Sequence, residues 1–361
     1  MHIYHITSVH TRYDTRIFKK ECISLFQAGY DVSLIVCDGL GDEICEGVKI
    51  FDAGNYNKAP RLKRVRIAPK AIYKKINEFA NADIVHFHDP ELLFLGKKFA
   101  KKGIKVIYDS HENVPKQIMS KPYIPVWARK VISSYLNHLE LSAAKKINAV
   151  VTVTEELQQR FLRVNNNTIL VRNFPVISSF LEPDFSSKKM TFLYAGGVTT
   201  IRGALEMAKA AELADVKISY YGPVESSIET ELKKSKNCEV FGNIKQEELI
   251  KEYQKTNVGL CILHKVPNYL DSYPIKLFEY MASGMAVITS DIPMWKEIVD
   301  KYKCGICVDP YDLEAIAAAM TYMKEHPQEI EQMGRNGRKA VLENFSWENE
   351  SKTLLDLYKN I

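Results

Sequence analysis

The chain has 361 residues, which is enough for two domains of ordinary size. Its content of 46% hydrophobic and 26% charged residues is typical of a soluble globular protein. No apolar run approaches the roughly 20 residues of a membrane-spanning helix. No signal peptide precedes the first predicted strand, so we expect a cytoplasmic protein whose seven scattered cysteines stay reduced.

The net charge of +5 is distributed unevenly along the chain. Residues 1–185 contain 27 basic and 19 acidic residues, whereas the remainder contains 22 and 25. The basic residues concentrate at 58–75 and 97–105. Such clusters suit an anionic membrane surface or a lipid-phosphate acceptor, and a solvated helix face is the alternative. Nucleic acid is not expected as a partner, because no recognised binding module accompanies the charge.

Strand-like runs alternate with helical runs through both halves of the chain. In the first half, the predicted strands are 2–9, 32–37, 84–88, 106–108, 150–154 and 168–171, with a helix at 17–28. In the second half, they are 191–195, 217–221, 240–241, 258–262, 286–289 and 305–308. This order predicts an α/β protein with parallel sheets covered by helices on both faces.

A stretch rich in proline and serine at 176–189 predicts a linker. The predicted organisation is therefore a first domain (1–175), the linker, a second domain (190–344) and a final helix (345–361). Doubly wound domains bind ligands at the carboxyl ends of their strands. If those ends face each other, the active site is the cleft between the domains.

Residues 271–291 read DSYPIKLFEYMASGMAVITSD, which predicts a loop, a helix, a glycine and a buried strand. Pro274 suits the first turn of a helix, where the N–H groups of the next three residues can face an anion. Asp271 and Glu279 lie on either side of this turn and can accept bonds from hydroxyl groups. The segment is thus chemically complementary to a nucleotide-sugar, which has phosphates between two polyols. Solvated acids on an amphipathic helix are the alternative.

Residues 194–203 read YAGGVTTIRG and join a predicted strand to a helix at 204–213. Gly196 and Gly197 let a phosphate approach the backbone, and Arg202 can add charge-assisted hydrogen bonds. Lys276 is a second candidate cation for the same phosphates. By itself the glycine pair is also compatible with an ordinary strand-to-helix turn. A dinucleotide fingerprint fits poorly, because Gly-x-Gly-x-x-Gly is absent here.

These two segments resemble those of the retaining glycosyltransferases of family 4 (glycosyl transferases group 1). The resemblance implies the GT-B fold, in which two Rossmann-like domains face each other across a cleft and the final helix crosses back to the first domain. Two departures are visible. Asp271 stands where the family usually has glutamate, and Arg202 is the one basic residue of a loop that often has two.

The resemblance also implies roles for individual residues. Glu279 would hold the ribose hydroxyls and Asp271 a hydroxyl of the donor sugar. Cations and amides would stabilise the charge that develops on the diphosphate. The donor-binding set is Gly196, Gly197, Arg202, Pro274, Ile275, Lys276 and Glu279. The catalytic set is His111, Arg202, Lys276, Asp271 and Glu279.

In the first half, His111 follows a predicted strand and matches the family's strand-end histidine, which implies a hydrogen bond to a sugar hydroxyl or orientation of the reacting groups. A buried, satisfied histidine is the alternative. Residues 7–18 read TSVHTRYDTRIF and resemble the first loop of one subgroup. A helix cap by Asp14 or Thr15 is equally compatible. The predicted acceptor-side residues are Arg12, Asp14, Arg16 and His88.

Three further features allow other roles. His86 and His88 share one face of a strand, but we expect no zinc site because no cysteine lies near them in sequence; convergence of dispersed ligands is the alternative. The resemblance implies no cofactor or metal for the nucleotide. Cys304 and Cys307 have redox spacing, yet core packing is expected because they enter a strand. Four apolar side chains recur at helical spacing: Trp127, Val131, Tyr135 and Leu139. This stripe predicts a helix face that packs in a core or against a domain, and contact with a membrane is the second choice.

The function implied by the resemblance is transfer of a sugar from a nucleoside diphosphate sugar (UDP or GDP) to an acceptor hydroxyl, with retention of configuration (EC 2.4). The expected acceptor is a glycan or a lipid-linked glycan in surface polysaccharide biosynthesis, with optional contact to the inner face of the membrane. The alternatives are a binding protein without turnover and a nucleotide-sugar epimerase or hydrolase.

Overall fold

The computed structural model describes residues 1–78, 82–119, 121 and 124–361. The chain divides into two compact units. Unit 1 comprises Met1–Asn173 together with Glu348–Ile361, and unit 2 comprises Phe174–Trp347. Every helix within the described residues is too short or too polar to span a lipid bilayer.

Unit 1 is built on a sheet of eight described strands. They are β1 (His2–Ile6), β2 (Asp31–Val36), β3 (Glu43–Cys45), β4 (Val48–Asp52), β5 (Ile84–Phe87), β6 (Lys105–Ser110), β7 (Ala149–Thr152) and β8 (Thr168–Leu170). Their spatial order is β3-β4-β2-β1-β5-β6-β7-β8, and only the β3–β4 pair is antiparallel. The sequence did not predict β3 and β4, which form a short antiparallel ribbon at one end of the sheet, with Val48 and Ile50 of β4 buried.

The helices of unit 1 start with a π-helical turn at Ile17–Cys22. The α-helices are α1 (Ile23–Gln27), α2 (Arg61–Glu78), α3 (Leu93–Lys101), α4 (Val114–Met119), α5 (Val126–Ala144) and α6 (Glu155–Leu162). The single helix predicted at 17–28 is therefore a π-turn followed by α1. Gly29 follows α1 with φ +90°, a backbone conformation that glycine adopts without strain.

Unit 2 contains a six-stranded sheet in which the paired strands are all parallel. Its strands are β9 (Lys189–Ala195), β10 (Ile218–Tyr221), β11 (Cys238–Gly242), β12 (Thr256–Cys261), β13 (Ala286–Ser290) and β14 (Gly305–Val308). The order β11-β10-β9-β12-β13-β14 is doubly wound. β13 is buried along its whole length, as expected for a parallel strand covered on both faces.

The helices of unit 2 flank this sheet. They are α7 (Ala204–Ala214), α8 (Ser226–Lys234), α9 (Gln246–Lys255), α10 (Pro267–Leu270), α11 (Ile275–Ala282), α12 (Pro293–Tyr302), α13 (Leu313–Glu325) and α14 (Pro327–Asn344). Residues 176–189, which the sequence suggested as a linker, lie within this unit, and Phe180 belongs to its core.

The final helix, α15 (Trp347–Asn360), returns the chain to unit 1. Leu354, Leu357 and Tyr358 are buried along one face of this helix. Glu350 accepts hydrogen bonds from the backbone N–H of Arg172 at 2.7 Å and from its guanidinium at 3.1 Å. The last residues of the chain therefore complete the core of the unit that contains the first residues.

The helical stripe on α5 is not a buried face. Trp127, Val131 and Tyr135 are 74%, 63% and 59% exposed. The interpretation of this stripe as part of a core is therefore wrong for these three side chains, and the interpretation as a domain face stays a prediction. Cys304, by contrast, is buried, and both it and Cys307 are free thiols, which agrees with the expected packing role.

Candidate active site

The turn after β9 is built from backbone that approaches other backbone closely. The Gly196 N–H donates to the Tyr221 carbonyl at 2.8 Å, and Gly196 has φ +116°. A Cβ placed on Gly222 would lie 2.0 Å from the Gly196 carbonyl oxygen. Only glycine permits this contact between the turns that follow β9 and β10. The bare turn thus lies at the carboxyl edge of the parallel sheet, where doubly wound domains bind ligands.

Two cationic side chains cover this glycine turn. A Cβ on Gly196 would lie 3.1 Å from Lys276 Nζ and 3.4 Å from Arg202 Nη1. A Cβ on Gly197 would lie 2.9 Å from Arg202 Nη1. The Arg202 Nε donates to the Tyr269 hydroxyl at 3.3 Å, which orients the guanidinium. Two residues 74 positions apart in the sequence therefore meet over Gly196, and Arg202 also covers Gly197.

The Lys276 ammonium is buried, and its Nζ has no hydrogen-bond partner in the part of the chain that the structure describes. It lies 3.7 Å from the centre of the Tyr194 ring, in a cation–π contact. Desolvation, together with the nearby Arg202, lowers the pKa of Lys276 from 10.5 to about 7, while Cys261 and Glu279 oppose the shift. An anion in the turn would reverse this shift, because it would stabilise the charged form.

The start of α11 differs in one respect from the sequence prediction. Pro274 is the N-cap residue, with φ −73° and ψ 115°, and the helix begins at Ile275. The Leu277 N–H donates to the Pro274 carbonyl at 3.0 Å. One of the three amides predicted to face an anion is therefore already used within the turn. The anion-binding prediction now concerns the N–H groups of Ile275 and Lys276.

The two predicted carboxylates lie on either side of this turn. Asp271 follows α10 directly, and Glu279 lies within α11. The Tyr253 hydroxyl donates to Glu279 Oε2 at 3.3 Å. Trp295 Nε1 donates to the Ser272 carbonyl at 2.7 Å, which anchors the loop after Asp271. Both acids are partly exposed, so both can accept bonds from a bound polyol.

Two contacts that the sequence did not predict hold α11 against the sheet. The Tyr280 hydroxyl accepts a hydrogen bond from the Ala195 N–H at 2.9 Å. The Tyr280 ring packs on Gly259 so closely that a Cβ there would lie 2.4 Å from the ring. These contacts place Lys276, one turn before Tyr280, next to the end of β9. A glycine in the interior of a predicted strand was the available signal.

In unit 1, His111 is held by two buried neighbours. Its Nε2 lies 2.9 Å from Asp109 Oδ2 and 3.1 Å from His88 Nδ1. The His111 side chain is 16% exposed, whereas those of Asp109 and His88 are inaccessible. The ring therefore has a fixed orientation with one edge open to solvent.

The other residues predicted to contact the acceptor all have partners inside unit 1. Arg12 makes two hydrogen bonds to Asp38, at 2.9 and 2.7 Å. Asp14 Oδ1 accepts from the Arg16 N–H at 2.9 Å and from the next N–H at 3.0 Å, as a helix cap does. The Arg16 guanidinium binds both oxygens of Asp109, at 2.9 and 3.0 Å. Contact with an acceptor remains a prediction for these residues.

The predicted residues thus form one group in each unit. In unit 2, the glycine pair and the two cations meet at the end of β9, with Asp271 and Glu279 beside the start of α11. In unit 1, Arg16, His88 and His111 meet around Asp109. Arg12 points instead to the β2–β3 connection, through Asp38 and Glu43.

Comparison with known protein families agrees with this architecture. The family "Glycosyl transferases group 1" matches residues 188–340, and "Glycosyltransferase Family 4" matches residues 15–173. Together the two matches account for most of both units. The chain belongs to glycosyltransferase family 4.

Curated relatives of this family 4 protein include two named transferases. The MMP alpha-(1->4)-mannosyltransferase of Mycolicibacterium hassiacum is 27% identical over 144 residues, which is 40% of this chain and 34% of the relative. The D-rhamnosyltransferase WbpZ of Pseudomonas aeruginosa is 23% identical over 302 residues, 76% of this chain and 73% of the relative. The first match thus spans about a third of that relative's length.

Solved structures show that the family 4 protein has the GT-B fold. Sucrose-phosphate synthase from Thermosynechococcus elongatus matches with a TM-score of 0.77 and 17% identity, over 100% of this chain and 98% of that chain. Anabaena Alr3699/HepE in complex with UDP matches with a TM-score of 0.70 and 13% identity, over 100% of both chains. The predicted α/β fold with two Rossmann-like domains is confirmed.

Proposed function

We propose that this protein transfers a sugar from a nucleoside diphosphate sugar to an acceptor hydroxyl with retention of configuration. The observation that carries the proposal is the buried Lys276 ammonium, which lies with Arg202 over a glycine turn. A buried charge without a hydrogen bond is costly. A diphosphate supplies the missing acceptors and the missing negative charge.

The same geometry supports a route for the reaction. The C1–O bond of the donor breaks, and its electron pair leaves on the diphosphate oxygen. Arg202, Lys276 and the amides at the start of α11 stabilise the charge that develops there. The acceptor oxygen bonds to C1 on the face that the diphosphate leaves, and the acceptor proton passes to the departing diphosphate. Glu279 holds the ribose hydroxyls, and Asp271 holds a hydroxyl of the donor sugar.

His111 completes the proposal in unit 1. Its ring is oriented by Asp109 and keeps one edge accessible, which suits a hydrogen bond to a sugar hydroxyl. We expect His111→Ala to lower kcat while the melting temperature stays close to that of the wild type. A loss of melting temperature with unchanged turnover per folded molecule would instead assign the histidine a structural role.

The donor is proposed to be a hexose on UDP or GDP, and the acceptor a glycan or a lipid-linked glycan of surface polysaccharide biosynthesis. The support comes from relatives named as a mannosyltransferase and a rhamnosyltransferase, and from a similar fold that binds UDP. A thermal-shift panel of nucleoside diphosphates identifies the base, because ligands that bind the native state raise its melting temperature.

The decisive experiment measures release of the nucleoside diphosphate from the donor that the panel selects. Release that requires an acceptor, with a product of retained anomeric configuration, supports the proposal. Equal release without acceptor indicates a hydrolase, and binding without release indicates a binding protein. Epimerised donor recovered without acceptor indicates an epimerase. Arg202→Ala provides the matched inactive control.

A peripheral contact with an anionic membrane is also proposed, on the surface of unit 1. Helix α2 exposes Leu62 (81%) and Val65 (41%) among basic side chains, and α5 exposes Trp127 (74%). Apolar side chains surrounded by lysine and arginine suit the interface of an anionic bilayer. The exposed basic residues of α2 are Arg61, Lys63, Arg66, Lys70 and Lys74.

Flotation with liposomes containing phosphatidylserine tests this contact. At low salt we expect the wild type to float with the liposomes. A variant with Lys63, Arg66 and Lys70 changed to glutamate should remain in the bottom fraction of the gradient. Trp127→Ala should weaken flotation at any salt, since its contribution is apolar. Recovery of the wild type in the bottom fraction at low salt would refute the membrane contact.

A further inference from the structure

Three histidines and a glutamate lie close together in the core of unit 1, near His111. His5 lies on β1 and His86 on β5, where the two residues are direct partners in the parallel register. His88 follows β5 on the same face, and Glu21 reaches the group from the π-helical turn. One ring nitrogen of each histidine and one carboxylate oxygen all lie within 4.8 Å of one another.

The distances inside this cluster resemble those between ligands of one metal ion. His5 Nδ1 lies 3.0 Å from His88 Nε2. Glu21 Oε2 lies 3.7 Å from His5 Nδ1 and 3.9 Å from His88 Nε2. Ligand atoms bound to a tetrahedral zinc ion at about 2.0–2.2 Å are roughly 3.3–3.6 Å apart. These three distances therefore have to change by only a few tenths of an ångström for the atoms to bind one zinc ion.

All four side chains are buried, and three of their polar atoms lack a hydrogen bond within the described part of the chain. Both carboxylate oxygens of Glu21 and the Nε2 of His86 have no hydrogen-bond partner among the residues that the structure describes. A bound cation would give His86 Nε2 and the Glu21 carboxylate a partner.

The atoms that face away from the cluster have the partners that metal ligands usually have. His86 Nδ1 and His5 Nε2 lie 2.6 and 3.3 Å from the Tyr358 hydroxyl. His88 Nδ1 lies 3.4 Å from a carboxylate oxygen of Asp109. Glu21 Oε1 lies 3.0 Å from an arginine nitrogen, while Oε2 faces the histidines. Such outer contacts orient the ligands of metal sites.

We propose that His5, Glu21, His86 and His88 bind one divalent cation of the zinc class in a closed tetrahedral site. Three imidazoles and one carboxylate are ligands that zinc accepts, and four protein ligands leave no position for a substrate. The ion therefore acts structurally. It joins β1, the π-helical turn and β5, and through Tyr358 it supports α15. The proposal reverses the expectation of no zinc site at His86 and His88, which was based on the absence of nearby cysteines in the sequence alone; the proposed ligands are spread over more than 80 residues.

The first experiment measures metal content and coordination in the full-length protein. Wild type purified from zinc-supplemented medium and dialysed should retain about one zinc ion per chain. After removal of the metal with a chelator, addition of Co²⁺ should produce the intense visible bands of a tetrahedral cobalt site. Glu21→Gln and His86→Phe should lose both signals. His138→Ala, which removes an exposed histidine of the same unit, should keep them.

A second measurement covers the case in which a ligand variant does not fold. The melting temperature of wild type should fall on treatment with chelator and recover on addition of Zn²⁺, because an ion bound to the native state stabilises it. Wild type that retains no zinc and shows no cobalt bands refutes the site. Folded Glu21→Gln and His86→Phe variants that retain a full equivalent of zinc also refute it, since the ion then binds elsewhere.

Discussion

The Lys276 ammonium lies 3.7 Å from the centre of the Tyr194 ring, beside the glycine turn that Arg202 also covers. Removing either cation should therefore weaken binding of a nucleoside diphosphate. A hydrogen bond to a charged group contributes about 1.5–3 kcal/mol. We expect Arg202→Ala and Lys276→Met each to weaken binding roughly 10- to 150-fold by isothermal titration calorimetry.

Lys209→Met is the matched control for these variants. Lys209 lies on α7 and pairs with Glu231 at the surface, at 3.4 Å. Its removal should leave the affinity unchanged. Affinity of Lys276→Met within about twofold of wild type would contradict the assignment of the diphosphate to this turn.

Binding at this turn should also take up a proton. The pKa of Lys276 is lowered from 10.5 to about 7, so at pH 8 this side chain is mostly the neutral amine in the free protein. A bound diphosphate raises that pKa again, which implies uptake of most of one proton per ligand at pH 8. Calorimetry in buffers of different ionisation enthalpy measures this number. Lys276→Met should abolish the uptake, and an unchanged value would contradict the prediction.

The same pKa shift predicts a pH dependence of stability without ligand. Between pH 7 and 10.5 the unfolded chain binds more protons at Lys276 than the folded chain does. The free energy of unfolding should therefore rise with pH across this range. Lys276→Met should flatten this rise, which thermal unfolding at several pH values can detect.

Glu279→Gln should reduce transfer without unfolding the protein. The carboxylate is proposed to accept bonds from the ribose, and the amide supplies one weaker acceptor in the same place. We expect kcat/KM to fall roughly 10- to 150-fold, with the melting temperature near that of wild type. Glu331→Ala, which breaks a surface pair with Arg335, is the control. Activity of Glu279→Gln equal to that of this control would be evidence against the ribose contact.

Gly259→Ala should destabilise unit 2. The new methyl group would lie 2.4 Å from the Tyr280 ring, and overpacking of this kind costs about 1–3 kcal/mol. Urea unfolding should show this loss, and donor binding should weaken because α11 carries Lys276. Gly242→Asn is the control: its φ of +69° suits asparagine, and the space around a Cβ there is open. A Gly259→Ala protein as stable as this control would contradict the packing.

Arg16→Met should destabilise unit 1 strongly. Arg16 binds both oxygens of the buried Asp109 and lies 3.0 Å from Glu21. Its removal leaves the buried Asp109 carboxylate without its bidentate cation, which typically costs about 3–5 kcal/mol. The double variant Arg16→Met/Asp109→Asn should recover part of that loss. Urea unfolding that shows no difference between single and double variants would contradict the pairing.

Much of the fold could be predicted because parallel strands buried on both faces are continuous apolar runs. The strand predicted at 286–289 is β13 (Ala286–Ser290), which is buried along its whole length. The ribbon of β3 and β4 was missed because both strands are short and intersperse polar with apolar residues, so that neither contains such a run. The π-helical turn was missed because its apolar spacing resembles that of an α-helix.

The donor turn could be predicted in part, since glycines and cations in these segments match a known family. The contacts that support this turn could not be predicted, because the Tyr280 ring reaches Gly259 only when α11 packs against the sheet. The same holds for the buried histidines. The spacing of His86 and His88 placed them on one face of a strand, but the proximity of His5 depends on the β1–β5 register.

The return of α15 to unit 1 has a consequence for biosynthesis. As the chain leaves the ribosome, all strands of the first unit emerge long before Leu354 and Tyr358, which cover part of its core. Until α15 has been synthesised, that core keeps an apolar face and two histidines uncovered. The nascent first unit therefore exposes surface that favours aggregation, and a truncation that removes Glu348–Ile361 would leave it in that state.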